Sequence, residues 1–447
     1  MVSYKALESL LQESNDDYVS PDPLEFEQVW LNRFKKSKSS SFGIETRKLF
    51  FSWLKGTFLA HGSYGAASIP TLDVKHKWDH LIEINPPYFF YNILYRYLVR
   101  SIRSLAIYLN TSPTNICLIP NVEYGIQSVL NSIHIGTEDC IIAFDFTYNA
   151  VSQSIKFICE KFGGKFITIP TRYPLSIESL LEDFDDFLRN VKLNSQLKIK
   201  VMCFEHITSP SAIVLPIKEL IEICREHQIL SLIDGAHGIG QLDLELDLLK
   251  PDFYVSNLHK WFCTPRGCAF LYIAPQHHHL IHPLVITWGY RQGGHQSEFI
   301  WQGTQDYSTY LTIPIAISFF QWFPNPIKRN QELARWCGEM ISSCWNTSLL
   351  VDSTMFASMV SILLPDKVRS FKGDLHDELQ NIHGIELPVF TFKGERCVRV
   401  SIHMYNSKED CFKACKAVLD LLGYEESFIG YQRLHEWQYV SNQVSKM

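Results

Sequence analysis

Long runs of a single character are missing from this chain of 447 residues. No apolar stretch approaches the roughly 20 residues that cross a bilayer as a helix. The longest apolar-leaning one, Leu311 to Phe323, is broken by Thr312, Pro314, Ser318 and Gln321, so no membrane span is expected. Basic runs are equally scarce. Lys and Arg total 41 against 47 Asp and Glu, a formal charge of −6, and the densest basic cluster is Lys35, Lys36 and Lys38 among Ser37, Ser39, Ser40 and Ser41. That cluster has the composition of a solvated linker, and without a net basic face a nucleic-acid partner is not expected. No CxxC pair occurs among the 12 cysteines, which argues against a zinc site and leaves metal out of the expected site. Several cysteines, such as Cys203 in Val201–Phe204 and Cys224 in Ile221–Cys224, sit inside apolar runs where a thiol behaves as a small hydrophobe. A reduced compartment follows, the cytoplasm first and the nucleus left open. Met1 to Asp17 has one Lys, no Arg and four acidic residues, unlike a secretory or transit peptide. Gly238-Ile-Gly240 lacks the third glycine of a dinucleotide fingerprint.

What is present is a core-forming composition, 46% hydrophobic and 20% charged, with a clear alternation of periods. From Asn115 to Ala274, short apolar runs alternate with amphipathic stretches. Ile116–Ile119, Cys140–Phe144, Lys165–Ile169, Ile199–Phe204, Ile229–Ile233, Phe253–Val255 and Ala269–Ile273 read as strands. Between them, Asn121 caps a helix bearing Val122, Ile126, Val129 and Leu130, another helix stops at Gly163-Gly164, and Pro216 takes the first position of a third. Strands apolar on both faces and separated by helices predict an α/β fold around a mostly parallel, seven-stranded sheet covered on both sides. After Leu311 the pattern changes to a smaller α+β unit with strands at Met359–Leu364, Pro388–Phe392 and Cys397–Ile402. A capping box at Ser407–Asp410 opens a last helix. The expected organisation is an N-terminal arm over 1–42, a large α/β domain over 43–310 and a small C-terminal domain over 311–447.

The chemistry concentrates at two strand ends. Ile229–Ile233 runs into Asp234, and Asp252–Val255 runs into Ser256-Asn257-Leu258-His259-Lys260. In open parallel sheets ligands bind beyond the carboxyl ends of strands, so an acid and an amine delivered there can meet in one crevice. Such a pair suits pyridoxal 5'-phosphate, whose aldehyde needs a lysine and whose ring nitrogen needs an acid. The alternative is an Asp cap and a surface Lys.

The surrounding words resemble a known family. Asp234-Gly-Ala-His-Gly-Ile-Gly-Gln-Leu-Asp243 and Asp252-Phe-Tyr-Val-Ser-Asn-Leu-His-Lys-Trp-Phe-Cys-Thr-Pro-Arg-Gly267 are similar to the class V aminotransferase-like enzymes of fold type I. Their isopenicillin N epimerase-like branch is the nearest, and within it the fungal hercynylcysteine sulfoxide lyases. Phe58–Gly65, Phe204–Pro210 and Trp301-Gln-Gly-Thr-Gln-Asp306 extend the likeness over roughly residues 43 to 410. The resemblance implies that Lys260 is the Schiff-base lysine, His259 a phosphate or ring contact, Asp234 the partner of the pyridinium nitrogen and His237 a contact to the phenolic oxygen. It places Asn257 at the cofactor as well. It gives Glu123 and Tyr124 of Asn121–Gly125 the amides that hold the phosphate, although a carboxylate is a poor neighbour there unless it turns away. Tyr148 is expected to stack on the ring, with proton transfer as a second role. Thr208 and Ser209 fall on the cofactor-facing loop, and Thr304 is expected to reach the phosphate of a second copy, which implies a homodimer with shared sites. Arg399 is expected to clamp a substrate α-carboxylate. His277-His-His279 reads as a polar loop.

Fold alone leaves the reaction open. Cysteine desulfurases of this class carry a nucleophilic cysteine on a mobile loop well downstream of the lysine, and no Cys occurs from Asp352 to Glu395, which disfavours a persulfide route. β-Elimination from a cysteine S-conjugate or sulfoxide, such as hercynylcysteine sulfoxide, leads, with Lys260 as base and release of pyruvate and ammonia. Trp288-Gly-Tyr-Arg291 with Trp301 could hold a betaine group by cation–π contact, or pack at an interface. Epimerisation, with Lys260 and an ionised Tyr148 on opposite faces of Cα, transamination and a catalytically silent scaffold are the alternatives.

Overall fold

The computed structural model describes residues 4–194 and 196–444; the extreme ends anticipated for the outer segments lie outside the described residues. Seven strands form the large sheet: β1 (Ile116–Ile119), β2 (Asp139–Phe144), β3 (Lys165–Ile169), β4 (Lys198–Glu205), β5 (Leu230–Asp234), β6 (Phe253–Asn257) and β7 (Ala269–Ile273). Their order is β1-β7-β6-β5-β4-β2-β3. β7 runs antiparallel to both its neighbours, and all other pairs are parallel. Strands β1, β2, β6 and β7 are buried throughout, as double-sided helical cover requires. Parallel pairing aligns the carboxyl ends of β4, β5 and β6, and the site lies there.

A second sheet, ordered β9-β10-β8, is antiparallel and consists of β8 (Met359–Leu363), β9 (Val389–Phe392) and β10 (Glu395–Ser401). Ala60 bridges to Ser401, so the segment after the N-terminal helices lies along the edge of this sheet. Three helices, α1 (Tyr4–Gln12), α2 (Glu25–Lys36) and α3 (Ile44–Phe50), begin the chain. They do not trail from the body: Leu7, Leu11 and Phe34 are buried in the core, and Glu27 forms an ion pair of 2.8 Å with Arg100 at full burial. Arg103 reaches the carbonyls of Leu10 and Glu13 at 3.0 Å each, which ties the end of α1 to the body.

Most expected elements appear within a residue or two of their expected bounds, with two differences. Pro216 precedes its helix as the cap, with ψ of 65°, and Ile217 is the first helical residue. The capping box at Ser407–Asp410 opens α5 (Lys408–Leu421), as read, but α6 (Ile429–Val444) follows it. The weak amphipathicity of that last segment gave no helical period to detect. The apolar stretch after Leu311 forms the core helix Ile313–Trp322. No helix among the described residues is long and apolar enough to cross a membrane.

Candidate active site

A cavity of about 480 Å³ opens where β4, β5 and β6 end, lined also by Arg399 of β10 and by Pro388, Val389 and Phe390 at the start of β9. Each wall is set by local sequence. Asp234 ends β5 and is 5% exposed; it accepts the Ala236 amide at 2.9 Å, and burial pushes its carboxyl up to about 6. Asn257 ends β6, and its Oδ1 accepts the Val122 amide at 3.1 Å. Lys260 follows in the turn after β6. Burial lowers its amine to about 8, against the pull of Asp234.

His237 fixes the orientation of that amine. Its Nδ1 accepts the indole N–H of Trp261 at 3.1 Å, so the neutral ring carries its proton on Nε2, which stands 3.3 Å from Lys260 Nζ. Burial holds His237 well below its ordinary value, so the ring adds no second cation beside Lys260, and its Nε2–H can donate to the amine once Lys260 is unprotonated. His259 donates Nδ1–H to the Cys268 carbonyl at 3.0 Å, which leaves Nε2 facing the cavity.

The helix α4 (Val122–Ser132) points its N-terminus at the same cavity. Its amides are not equally free. Asn121 Oδ1 takes the Tyr124 amide at 2.8 Å, so Tyr124 has no amide to offer an anion, contrary to expectation, and its ring lies outside the cavity. Val122 is engaged by Asn257. The Glu123 amide is the one left at the tip, and Glu123 is among the residues that line the cavity.

Arg399, on β10, is 3% exposed and pairs with no carboxylate among the described residues. Nη1 donates to Ser209 Oγ at 3.2 Å and Nη2 to Ser63 Oγ at 2.8 Å, while Nε is buried without a partner. A buried guanidinium satisfied only by hydroxyls keeps the capacity to bind an anion.

The remaining expected residues are placed as follows. Thr208 is buried with its hydroxyl turned inward, 2.6 Å from Ser211 Oγ and accepting the Ile213 amide at 2.9 Å; its side chain closes the loop, and Ser209 faces the cavity. Thr304 is exposed and outside this chain's cavity. Trp288, Tyr290 and Trp301 are also outside it; Trp301 is buried in a stack on Tyr307 with rings 5.4 Å apart. Tyr148 does line the cavity, but burial, followed by Glu123, Tyr64 and Asp234, pushes its hydroxyl up. It can donate a proton at neutral pH and is not a base there.

Several residues escaped the sequence reading. Glu205 and Arg266 line the cavity from β4 and the turn after Lys260. His61 is fully buried, with Nε2 2.9 Å from the Lys260 carbonyl and Nδ1 2.8 Å from Tyr405 OH. Gly65, at φ of 68°, packs so closely that a Cβ would stand 2.0 Å from the His259 carbonyl oxygen. The Phe58–Gly65 words were visible in the sequence, but nothing local said that they wedge against the lysine turn.

The aminotransferase class V family model matches residues 105–413, from just before β1 into α5. The chain belongs to the class V aminotransferase family. Among curated relatives, a putative L-cysteine desulfhydrase of Oryza sativa subsp. japonica is 29% identical, over 81% of this chain and 82% of its own. The hercynylcysteine sulfoxide lyase of Schizosaccharomyces pombe is 23% identical, over 86% and 99%. Among solved structures, the cystine C-S lyase C-DES in complex with its product cysteine persulfide aligns with a TM-score of 0.72 at 21% identity. It covers 83% of this chain and 99% of that one, a likeness of fold type I.

Proposed function

We propose that this protein is a pyridoxal-phosphate-dependent carbon–sulfur lyase that expels a sulfur group from Cβ of a cysteine derivative and releases pyruvate and ammonia. Hercynylcysteine sulfoxide, or a related cysteine S-conjugate, is the proposed substrate. One observation carries this reading: the ion-pair-free, buried Arg399 and the amine of Lys260 line one cavity, the pair of contacts that an α-amino acid needs. The donor set fits the cofactor, with a lowered lysine amine, a buried acid, an aromatic ring and an open helix N-terminus together. When bound, pyridoxal phosphate supplies the electron sink that makes loss of the Cα proton feasible.

In this reading Lys260 would hold the cofactor aldehyde, would be released when the substrate amine takes its place there, and would then accept the Cα proton as the free amine that His237 orients. Asp234 keeps the ring nitrogen charged. Asn257, His259 and the Glu123 amide surround the phosphate, with Arg266 added from the structure. Tyr124 and Thr208 hold the surrounding turns in shape. Tyr148 covers the ring and donates a proton to the departing sulfur. Arg399, steered by Ser209 and Ser63, binds the substrate carboxylate. Thr304 completes the phosphate site of a second copy in a homodimer. The exposed Leu280, Leu284, Val285, Ile286 and Trp288 near that segment support such an interface. Twelve free, buried thiols suit a reducing compartment such as the cytoplasm. No cysteine lines the cavity among the described residues, which favours elimination over a persulfide route. Epimerisation needs a second base, and the raised Tyr148 hydroxyl does not supply it.

The test is pyruvate release from hercynylcysteine sulfoxide and from L-cysteine, with Lys260→Ala as blank and exchange of the α-proton recorded in parallel. Release by the wild type alone is expected. Exchange without pyruvate would exclude the lyase reading and favour epimerisation.

A further inference from the structure

Two carboxyl groups lie at the floor of this cavity. Glu205 ends β4 and Asp234 ends β5, and the two are register partners on adjacent parallel strands. They are 2% and 5% exposed, and both line the cavity. Paired residues on neighbouring strands project from the same face with backbones about 5 Å apart. Two buried carboxylates at that spacing cannot both ionise at moderate cost, so such a pair retains one proton.

The surroundings decide which group keeps it. Asp234 has the Ala236 amide and the Lys260 amine to favour its anion. Glu205 accepts the Tyr148 amide at 2.5 Å on Oε1 and the Thr147 hydroxyl at 3.5 Å on Oε2, but no cation pairs with it among the described residues. The neighbouring His206 turns to Tyr254 OH at 2.8 Å, and burial keeps its ring neutral, so it brings no positive charge. The other charged groups facing the cavity are Glu123, Lys260, Arg266 and Arg399; Arg266 donates to the Gly65 carbonyl and Arg399 to Ser63 and Ser209, and no ion pair among the described residues joins any of these cations to Glu205.

We propose that Glu205 is a positioning residue of the site, a neutral carboxylic acid at physiological pH that leaves Asp234 as the single anion beneath the cofactor ring and anchors Tyr148 above it. Burial first, and Asp234 second, raise Glu205 to about 8, in agreement with the geometry. The role toward the ring rests on the cofactor reading above; the protonation state does not.

Infrared spectroscopy of the apoprotein tests the protonation state directly, because only a protonated carboxyl shows the high-frequency C=O stretch. Glu8, raised to about 7, would overlap, so a Glu8→Gln background is used throughout. The difference spectrum against Glu205→Gln is expected to contain one such band at about pH 7 that is lost by about pH 9.5. Absence of that band at neutral pH would overturn the proposal. If Glu205→Gln does not fold, the pH difference spectrum of the background protein alone carries the same test. Pyridoxal phosphate titration of the apoprotein then reads the positioning role. Glu205→Gln keeps both the neutral charge and the acceptor for the Tyr148 amide, so its affinity should stay within about twofold of the parent at neutral pH, and Glu205→Leu should lose about tenfold. A tenfold loss in Glu205→Gln would mean that the anion was needed, and the proposal fails. Failure of the parent to bind the cofactor at all would sink the cofactor reading instead, with the infrared result unaffected.

Discussion

Replacing Arg399 by Ala removes a guanidinium that is 3% exposed and is held only by Ser63 and Ser209. Truncating one partner of a buried charge pair costs about 2–5 kcal/mol, which corresponds to about 30-fold to 5,000-fold in kcat/KM. The lower part of that range applies here, about 30-fold to 300-fold, because the orphaned partner is a substrate carboxylate that water can reach in an open cavity. The carboxylate keeps its charge throughout elimination, so the contact is as strong in the ground state as in the transition state. The loss is therefore expected in KM, with kcat little changed. Arg399→Lys should recover part of it, since an ammonium can meet one oxygen but cannot reproduce the fork. Removing an unpaired buried cation relieves desolvation, so the thermal midpoint should not fall. Steady-state pyruvate release with a cysteine S-conjugate measures the first effect. An S-conjugate of cysteamine, which lacks the carboxylate and would give acetaldehyde in place of pyruvate, should lose nothing in the variant when acetaldehyde release is read. An unchanged kcat/KM, or a loss confined to kcat, would refute the assignment of Arg399 as the carboxylate receptor.

Other perturbations follow from the same geometry. Lys260→Ala should abolish turnover while the apoprotein still takes up pyridoxal phosphate without a covalent link, read as full release on gel filtration in denaturant. Loading of the apoprotein needs Asp234 ionised and Lys260 unprotonated, so its rate should climb as pH rises from about 6 to about 8, the values to which burial shifts the two groups; stopped-flow absorbance would show this, and a flat profile would contradict it. Glu123 is exposed at the tip of α4, so its charge is screened, and Glu123→Gln should tighten cofactor binding by only about twofold to fivefold at low salt. Glu8 in α1 is raised from 4.5 to about 7 by burial, so its stabilising contribution is full below the lower value and is lost as pH rises through the upper one. Wild-type thermal stability should drop between about pH 5 and pH 8 relative to Glu8→Gln, and parallel melting curves would rule this out.

Local chemistry made much of the architecture legible. Strand β1 and the Asn121 cap could be read from an apolar run followed by a residue that prefers to accept an amide, and the structure has both. The parallel sheet could be read because strands buried on both faces lose their polar alternation, as β2, β6 and β7 do. Asp234 and Lys260 stood out because one ends an apolar strand and the other lies in the turn just beyond one, and parallel pairing then places strand ends side by side without further information. Arg399 and the Phe58–Gly65 words were visible as words. Their convergence on the lysine turn was not, because contacts such as His61 to the Lys260 carbonyl span 199 positions of sequence.

Properties of surroundings became readable only in the folded chain. Tyr124 lost its expected role because its amide satisfies Asn121, and Thr208 because its hydroxyl closes its own loop. Glu205 looks like any acid at the end of a strand until register sets it beside Asp234 and burial removes the water that would let both ionise. Which residue types reach the ends of the strands is legible in the linear chain, since period and capping are local. Protonation, tautomer and free valence are set by desolvation and by partners distant in the chain, and these exist only once the chain has folded.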